Sequence, residues 1–211
     1  DHPAVAAATA ALGHVLVDKG SYVEATQVLD EAVRLQERLG ATTPETAAAL
    51  HELSSAHFYQ GHWPIAESLT HRVLELNRDL YGERHPHVAD DLVDLGAIQH
   101  EQGRYADAER YYREALEITR SWFGTDHYKT ASNLTMLGRS LVFQKRFEEA
   151  VILLREALAI QERVFGPDHP RVASAVNELG NVALQQDQLD DAEAAYRRMV
   201  EIYRKAYPKG H

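Results

Sequence analysis

A pattern of about 42 residues runs through this chain five times, and nothing else in the sequence restricts its fold as strongly. A leucine followed by a small residue recurs as Leu12-Gly13, Leu53-Ser54, Leu95-Gly96, Leu137-Gly138 and Leu179-Gly180, at spacings of 41, 42, 42 and 42. An alanine recurs at Ala25, Ala66, Ala108, Ala150 and Ala192, each with Tyr22, Trp63, Tyr105, Phe147 or Leu189 three residues before it. The repeats run 2–42, 43–84, 85–126, 127–168 and 169–210, and His211 falls where a sixth would open. The first is one residue short because Leu39-Gly40 lacks the extra residue of Leu80-Tyr81-Gly82.

Each repeat reads as two helices. Leu92, Leu95 and Ile98 stand three apart before Gly103, a residue suited to the left-handed turn that ends a helix. From Tyr105 to Phe123, the residues Tyr105, Ala108, Tyr112, Ala115, Leu116 and Ile118 form one helical stripe that Gly124 terminates. Pro3, Pro44, Pro86 and Pro170 suit a first helical turn, where the missing N–H has no intrahelical partner. Thr43 is a good N-cap, and the histidines elsewhere at that place are weaker ones. Small residues after the leucine let two helix backbones approach closely. One repeat cannot bury its own stripe, so each must pack on its neighbour. The expected fold is all-α, with five helix-turn-helix repeats in one domain over 1–211.

The segments Leu95-Gly96, Gln102-Gly103-Arg104-Tyr105-Ala106-Asp107-Ala108-Glu109 and Tyr112 through Ala115-Leu116-Glu117-Ile118 resemble the tetratricopeptide repeat, in its 42-residue kinesin-light-chain-like form. The linker Phe165-Gly166-Pro167-Asp168-His169-Pro170 is similar to the linker of that form, while Lys145 and Asp187 replace the turn glycine and Tyr128 the linker proline. The resemblance implies a right-handed α-α superhelix, a solenoid whose concave wall is built by the first helix of each repeat. It also implies a non-enzymatic scaffold that binds a protein or an extended peptide. The positions of kinesin light chains that face tryptophan-acidic peptides need a basic groove. Here Arg139 is the one cation among the inward positions.

Helix geometry selects those positions. With Leu95 at zero, the open side lies about 140 to 220 degrees around the helix. The candidate groove residues are His51, Ser55 and Phe58 in repeat two, with Tyr59 at the margin at about 240 degrees, and Asp90 and His100 in repeat three. Arg139 follows in repeat four, with Phe143 at the same margin, and Asn177 and Asn181 in repeat five. Phe58, Tyr59 and Phe143 are candidate anchors, because aromatics dominate binding hot spots. The competing reading packs Phe58 between adjacent first helices, like Val17, Val142 and Leu184 at the same offset. Asn177 and Asn181, four residues apart, suit the amides of an extended peptide.

The remaining chemistry is mostly exclusion. The net charge of −10 argues against nucleic acid and anionic membrane as partners, and no apolar run has the length of a membrane span. Repeats one to three, with Asp1, carry −11 and the last two +1; the acidic front could steer a basic partner or keep the array soluble. There are no cysteines, no phosphate loop and no nucleophile elbow, so neither catalysis nor a cofactor is expected. His51-Glu52 opens like a zinc-protease motif, but the second histidine would fall at Ser55, and His57 lies on another face. Five of the twelve histidines are periodic linker residues, and no metal site is expected. The alternatives are a sensor or regulatory array attached to an enzyme domain and a solenoid that self-associates end to end. The expected setting is a bacterial cytoplasm, with 17 arginines against 5 lysines, and the segment is expected to belong to a longer protein.

Overall fold

The computed structural model describes residues 2–40 and 42–208. Asp1, Ala41 and residues 209–211 lie outside the described residues, and with them the expected sixth opening at His211. Ten helices and no strand occur among the described residues. They are α1 (Pro3–Asp18), α2 (Tyr22–Arg38), α3 (Pro44–Tyr59), α4 (Trp63–Tyr81) and α5 (Pro86–Glu101), then α6 (Tyr105–Phe123), α7 (Tyr128–Phe143), α8 (Phe147–Phe165), α9 (Pro170–Gln185) and α10 (Leu189–Ala206). Ten helices fit five helix-turn-helix repeats. The chain divides into two compact units, 1–103 with α1 to α5 and 104–211 with α6 to α10. No described helix is long and apolar enough to cross a membrane.

The helix starts are built by side-chain acceptors. Thr43 Oγ1 accepts the N–H of Thr46 at 3.3 Å, as its residue type suggests. His2, His85, His127 and His169 do the same work with the ring, each Nδ1 accepting the N–H two residues ahead at 3.1–3.2 Å. These histidines cap more regularly than their type implies. The bond needs a lone pair on Nδ1, so it belongs to the neutral ring. Burial, and then the charge of His87, hold the His85 pKa below its ordinary value against the pull of Asp90. His127 caps α7 without the proline that the other linkers carry.

The turn between the helices of a repeat needs a left-handed residue. Gly103 supplies it with φ 74°, and Lys145 and Asp187 take the same conformation at φ 61° and 60°. An L side chain there costs roughly 1–2 kcal/mol, less for aspartate, whose short side chain tolerates the region. Lys145→Gly should therefore raise stability by about 1 kcal/mol, read as a higher urea midpoint at unchanged slope. A midpoint that stays or falls refutes the strain.

Close packing within a repeat follows a fixed offset of sixteen. A β-carbon on Gly13 would stand 2.4 Å from Leu29 Cγ, one on Gly138 2.7 Å from Leu154 Cγ, and one on Gly180 3.0 Å from Tyr196 Cε1. Repeat two has Ser54 in place of the glycine, and the facing residue shrinks to Thr70. The two hydroxyl oxygens lie 2.6 Å apart and share a hydrogen bond, and Ala66 O, at 3.0 and 2.9 Å from them, accepts the proton of whichever hydroxyl does not donate across the pair. The departure from glycine is thus matched across the contact.

Apolar clusters join neighbouring helices. In the first unit Leu16, Leu29, Val33, Leu50, Leu53 and Val73 run from α1 to α4. In the second, Val172, Val176 and Ile202 meet Leu158, tying α8, α9 and α10. Polar bonds add register. Gln60 Nε2 donates to Tyr22 O at 3.2 Å, and Gln144 Nε2 to Tyr105 O at 3.3 Å, each reaching back to the preceding repeat. Arg72–Glu37, Arg120–Glu156, Arg146–Glu109 and Arg198–Glu162 pair over 35 to 37 residues. Such solvated pairs contribute up to about 1 kcal/mol each, so packing carries most of the stability.

Candidate partner-binding surface

In the 1–103 unit the candidate residues come from α3 and α5. Ser55, Phe58 and Tyr59 line a pocket of about 200 Å³ with Ser54, Asp94, Ala97 and Ile98. Phe58 is half-buried, its ring meeting Tyr59, and it lines the pocket opposite residues of α5. Tyr59 is 60% exposed, yet one face is stacked on Tyr22 at 4.9 Å and its edge region meets Phe58. Asp90 is half-buried on α5 and lies outside this pocket.

His100 departs from the expected open side, being 7% exposed. Its offset of about 140 degrees lies at the edge of the open arc. Residues at that offset differ in exposure: Val142 is buried with Val182 of the next first helix, Phe58 is half-buried and Leu184 is open.

His51 sits beside carboxylates. Its Nδ1 is 3.3 Å from Asp94 Oδ2, and that hydrogen bond raises its pKa to about 9 against the opposing effect of burial. The charges of Asp94, Glu52 and Asp91 add to the rise. Asp91 is 3% exposed and accepts a hydrogen bond from Asn77 Nδ2 at 2.7 Å. Burial pushes its pKa up to about 7, opposed first by the Asn77 bond. His51, Asp91 and Asp94 each offer a ligand atom, all within 4.8 Å of one another. A histidine search along a single helix finds no such group, because its members come from two repeats.

In the 104–211 unit, Arg139 of α7 and Asn177 of α9 face one open cleft of about 400 Å³, lined also by Thr135, Met136, Glu178 and Tyr203 of α10. The asparagines are already oriented. Asn181 Nδ2 donates to Glu178 Oε2 at 3.1 Å, Asn177 Nδ2 lies 3.5 Å from Glu178 Oε1, and Tyr196 OH donates to Asn181 Oδ1 at 2.8 Å. Glu178 thus organises both amides and adds a negative charge. Phe143 is 46% exposed and stacks on Tyr105 at 4.9 Å, repeating the Tyr22–Tyr59 arrangement. Both aromatics keep one face for packing and offer the other.

Three acids outside the candidate groove set share a register. Glu52, Asp94 and Glu178 each precede the Leu-small pair of their repeat. Glu52 accepts from or pairs with His14 Nδ1 at 2.8 Å, Asp94 pairs with His51, and Glu178 holds the asparagines. The recurrence of an acid at that one position was the available signal.

The family model described as Tetratricopeptide repeat matches residues 5–70, 63–121, 92–163 and 141–205. Among solved structures, the nearly identical TPR-like repeats of kinesin-light-chain type from Podosopora anserina are 22% identical, over 98% of both chains, with a TM-score of 0.79. BtubC (BKLC) from P. vanneervenii is 22% identical over 96% of this chain and 81% of its own, with a TM-score of 0.80. The Rap conjugation gene regulator of the plasmid pLS20, in complex with the Phr* peptide, is 19% identical over 92% of this chain and 52% of its own, with a TM-score of 0.72. No curated protein sequence matches the chain.

Proposed function

This chain belongs to the tetratricopeptide repeat family, and from that premise we propose that it is a non-enzymatic scaffold module that holds a protein or an extended peptide against the first helices of its repeats. The observation that carries the reading is the open cleft beside Arg139, Asn177 and Glu178. The Asn177 amide and the Glu178 carboxylate there can bond to both the C=O and N–H groups of an extended backbone, and Arg139 can hold an acidic side chain. Half-exposed aromatics stand on the same helix as Arg139, at Phe143, and on α3, at Tyr59, where they can anchor apolar side chains. That the Rap regulator was solved with a bound peptide supports the same use for this scaffold.

A random linear-peptide display library tests the proposal. The wild-type chain should enrich a defined set of peptides. Phe143→Ala combined with Asn177→Ala and Asn181→Ala should weaken the capture of those peptides about tenfold or more while leaving the far-UV circular dichroism unchanged. Enrichment of nothing, or equal capture by the triple variant, would overturn the assignment.

A further inference from the structure

We propose that His51, Asp91 and Asp94 form a binding site for one divalent cation of the zinc class, held between α3 and α5. One imidazole nitrogen and two carboxylate oxygens lie within 4.8 Å of one another. This donor set suits a borderline cation, and three protein ligands leave the remaining coordination to water.

The geometry needs only small movements. Ligand distances of about 2.0–2.2 Å put donor atoms roughly 3.4 Å apart around a tetrahedral ion. His51 Nδ1 and Asp94 Oδ2 already meet that spacing at 3.3 Å, with side chains 44% and 40% exposed and so free to adjust. Asp91 is the fixed member. It is 3% exposed, one turn before Asp94 on the same helix, and Asn77 Nδ2 holds its Oδ2 at 2.7 Å. An outer hydrogen bond of this kind orients a carboxylate ligand.

A second observation separates the group from an ordinary surface cluster of acids. In repeat four the residue equivalent to Asp91 is Asn133, which likewise bonds back fourteen residues, to Thr119 Oγ1 at 3.2 Å. A neutral amide therefore satisfies the packing requirement at this place in the repeat. Asp91 puts a buried carboxylate there, and among the described residues the Asn77 bond is its one hydrogen bond. Burial penalises the charged form of this group, and a bound cation offsets that penalty. His51 is shared with Asp94, so a dication bridging all three supplies the compensation that one imidazole must divide.

Isothermal titration of the EDTA-stripped chain with zinc chloride is the test. The expected result is saturable binding of one equivalent at micromolar zinc, accompanied by a higher melting temperature. His51→Gln and Asp94→Asn, both at half-exposed positions, should each weaken it about tenfold or more, with circular dichroism unchanged. Asp91→Asn, which copies the residue of repeat four, should do the same. His57 and His62, whose Nδ1 atoms stand 3.3 Å apart, are the competing zinc ligands; His57→Asn should bind as the wild type does. Absence of saturable binding, or wild-type affinity in both His51→Gln and Asp94→Asn, would overturn the site. The isotherm is read without any peptide, so its failure is distinct from failure of the scaffold reading.

Discussion

Gly138→Leu should destabilise the 104–211 unit by roughly 1–3 kcal/mol or more, visible as a lower urea midpoint. The glycine faces Leu154 across α7 and α8, and a β-carbon would stand 2.7 Å from both Cγ and Cδ2 of that leucine. Leu154 has no room to turn away. It is fully buried among Leu141, Val142, Ala150 and Val182. Relief requires the two helices to part, which strips contacts on both sides. The Ser54/Thr70 pair indicates the rescue. Gly138→Ser alone should clash, whereas Gly138→Ser with Leu154→Thr should cost less than the two single changes together, by about 1 kcal/mol. An unchanged midpoint for Gly138→Leu would show that α7 and α8 do not approach here.

The opposite error, an emptied contact, should be at least as damaging. Leu29 is fully buried against Gly13, with Leu16, Val33, Leu50 and Leu53 in the same cluster. Glycine has no side chain to move into a vacated space, so Leu29→Ala should leave a cavity and cost roughly 2–5 kcal/mol. Repeat proteins are stabilised by contacts between neighbours along the chain. Hydrogen exchange should therefore accelerate in α1 to α4 while α9 and α10 keep their protection. Equal acceleration in all ten helices would mean a single cooperative core.

Periodicity made the helices legible, because each boundary carries its own chemical mark. The stripe from Tyr105 ended by Gly124 coincides with α6, and Pro44, Pro86 and Pro170 each open a helix. Lys145 and Asp187 stood out as residues in a glycine position, and their φ angles bear that out. The candidate surface was less legible, for a geometric reason. An angle around one helix says which way a side chain leaves its own axis, not what the next helix places opposite. Phe143 and Tyr59 have the expected direction, but Tyr105 and Tyr22 lie across from them. His100 has it too and is covered. The approach of His51 to Asp91 and Asp94 depends on two repeats at once, so no spacing within one helix can display it. The ring caps of His85, His127 and His169 were hidden differently: residue preferences at helix starts rank side-chain type, not the reach of Nδ1 two residues ahead.

The offset of sixteen has a consequence for how such a chain can grow. Both members of each tight contact, Gly13 with Leu29, Ser54 with Thr70, Gly138 with Leu154, belong to the same repeat. A duplicated repeat therefore inherits its own interior fit complete, whatever it lands beside. The bonds that span 35 to 37 residues, such as Arg146 to Glu109, are instead shared between parent and copy and must be renegotiated after every duplication. Divergence should accumulate in those shared bonds, while the small-against-large pair changes only when both halves change together.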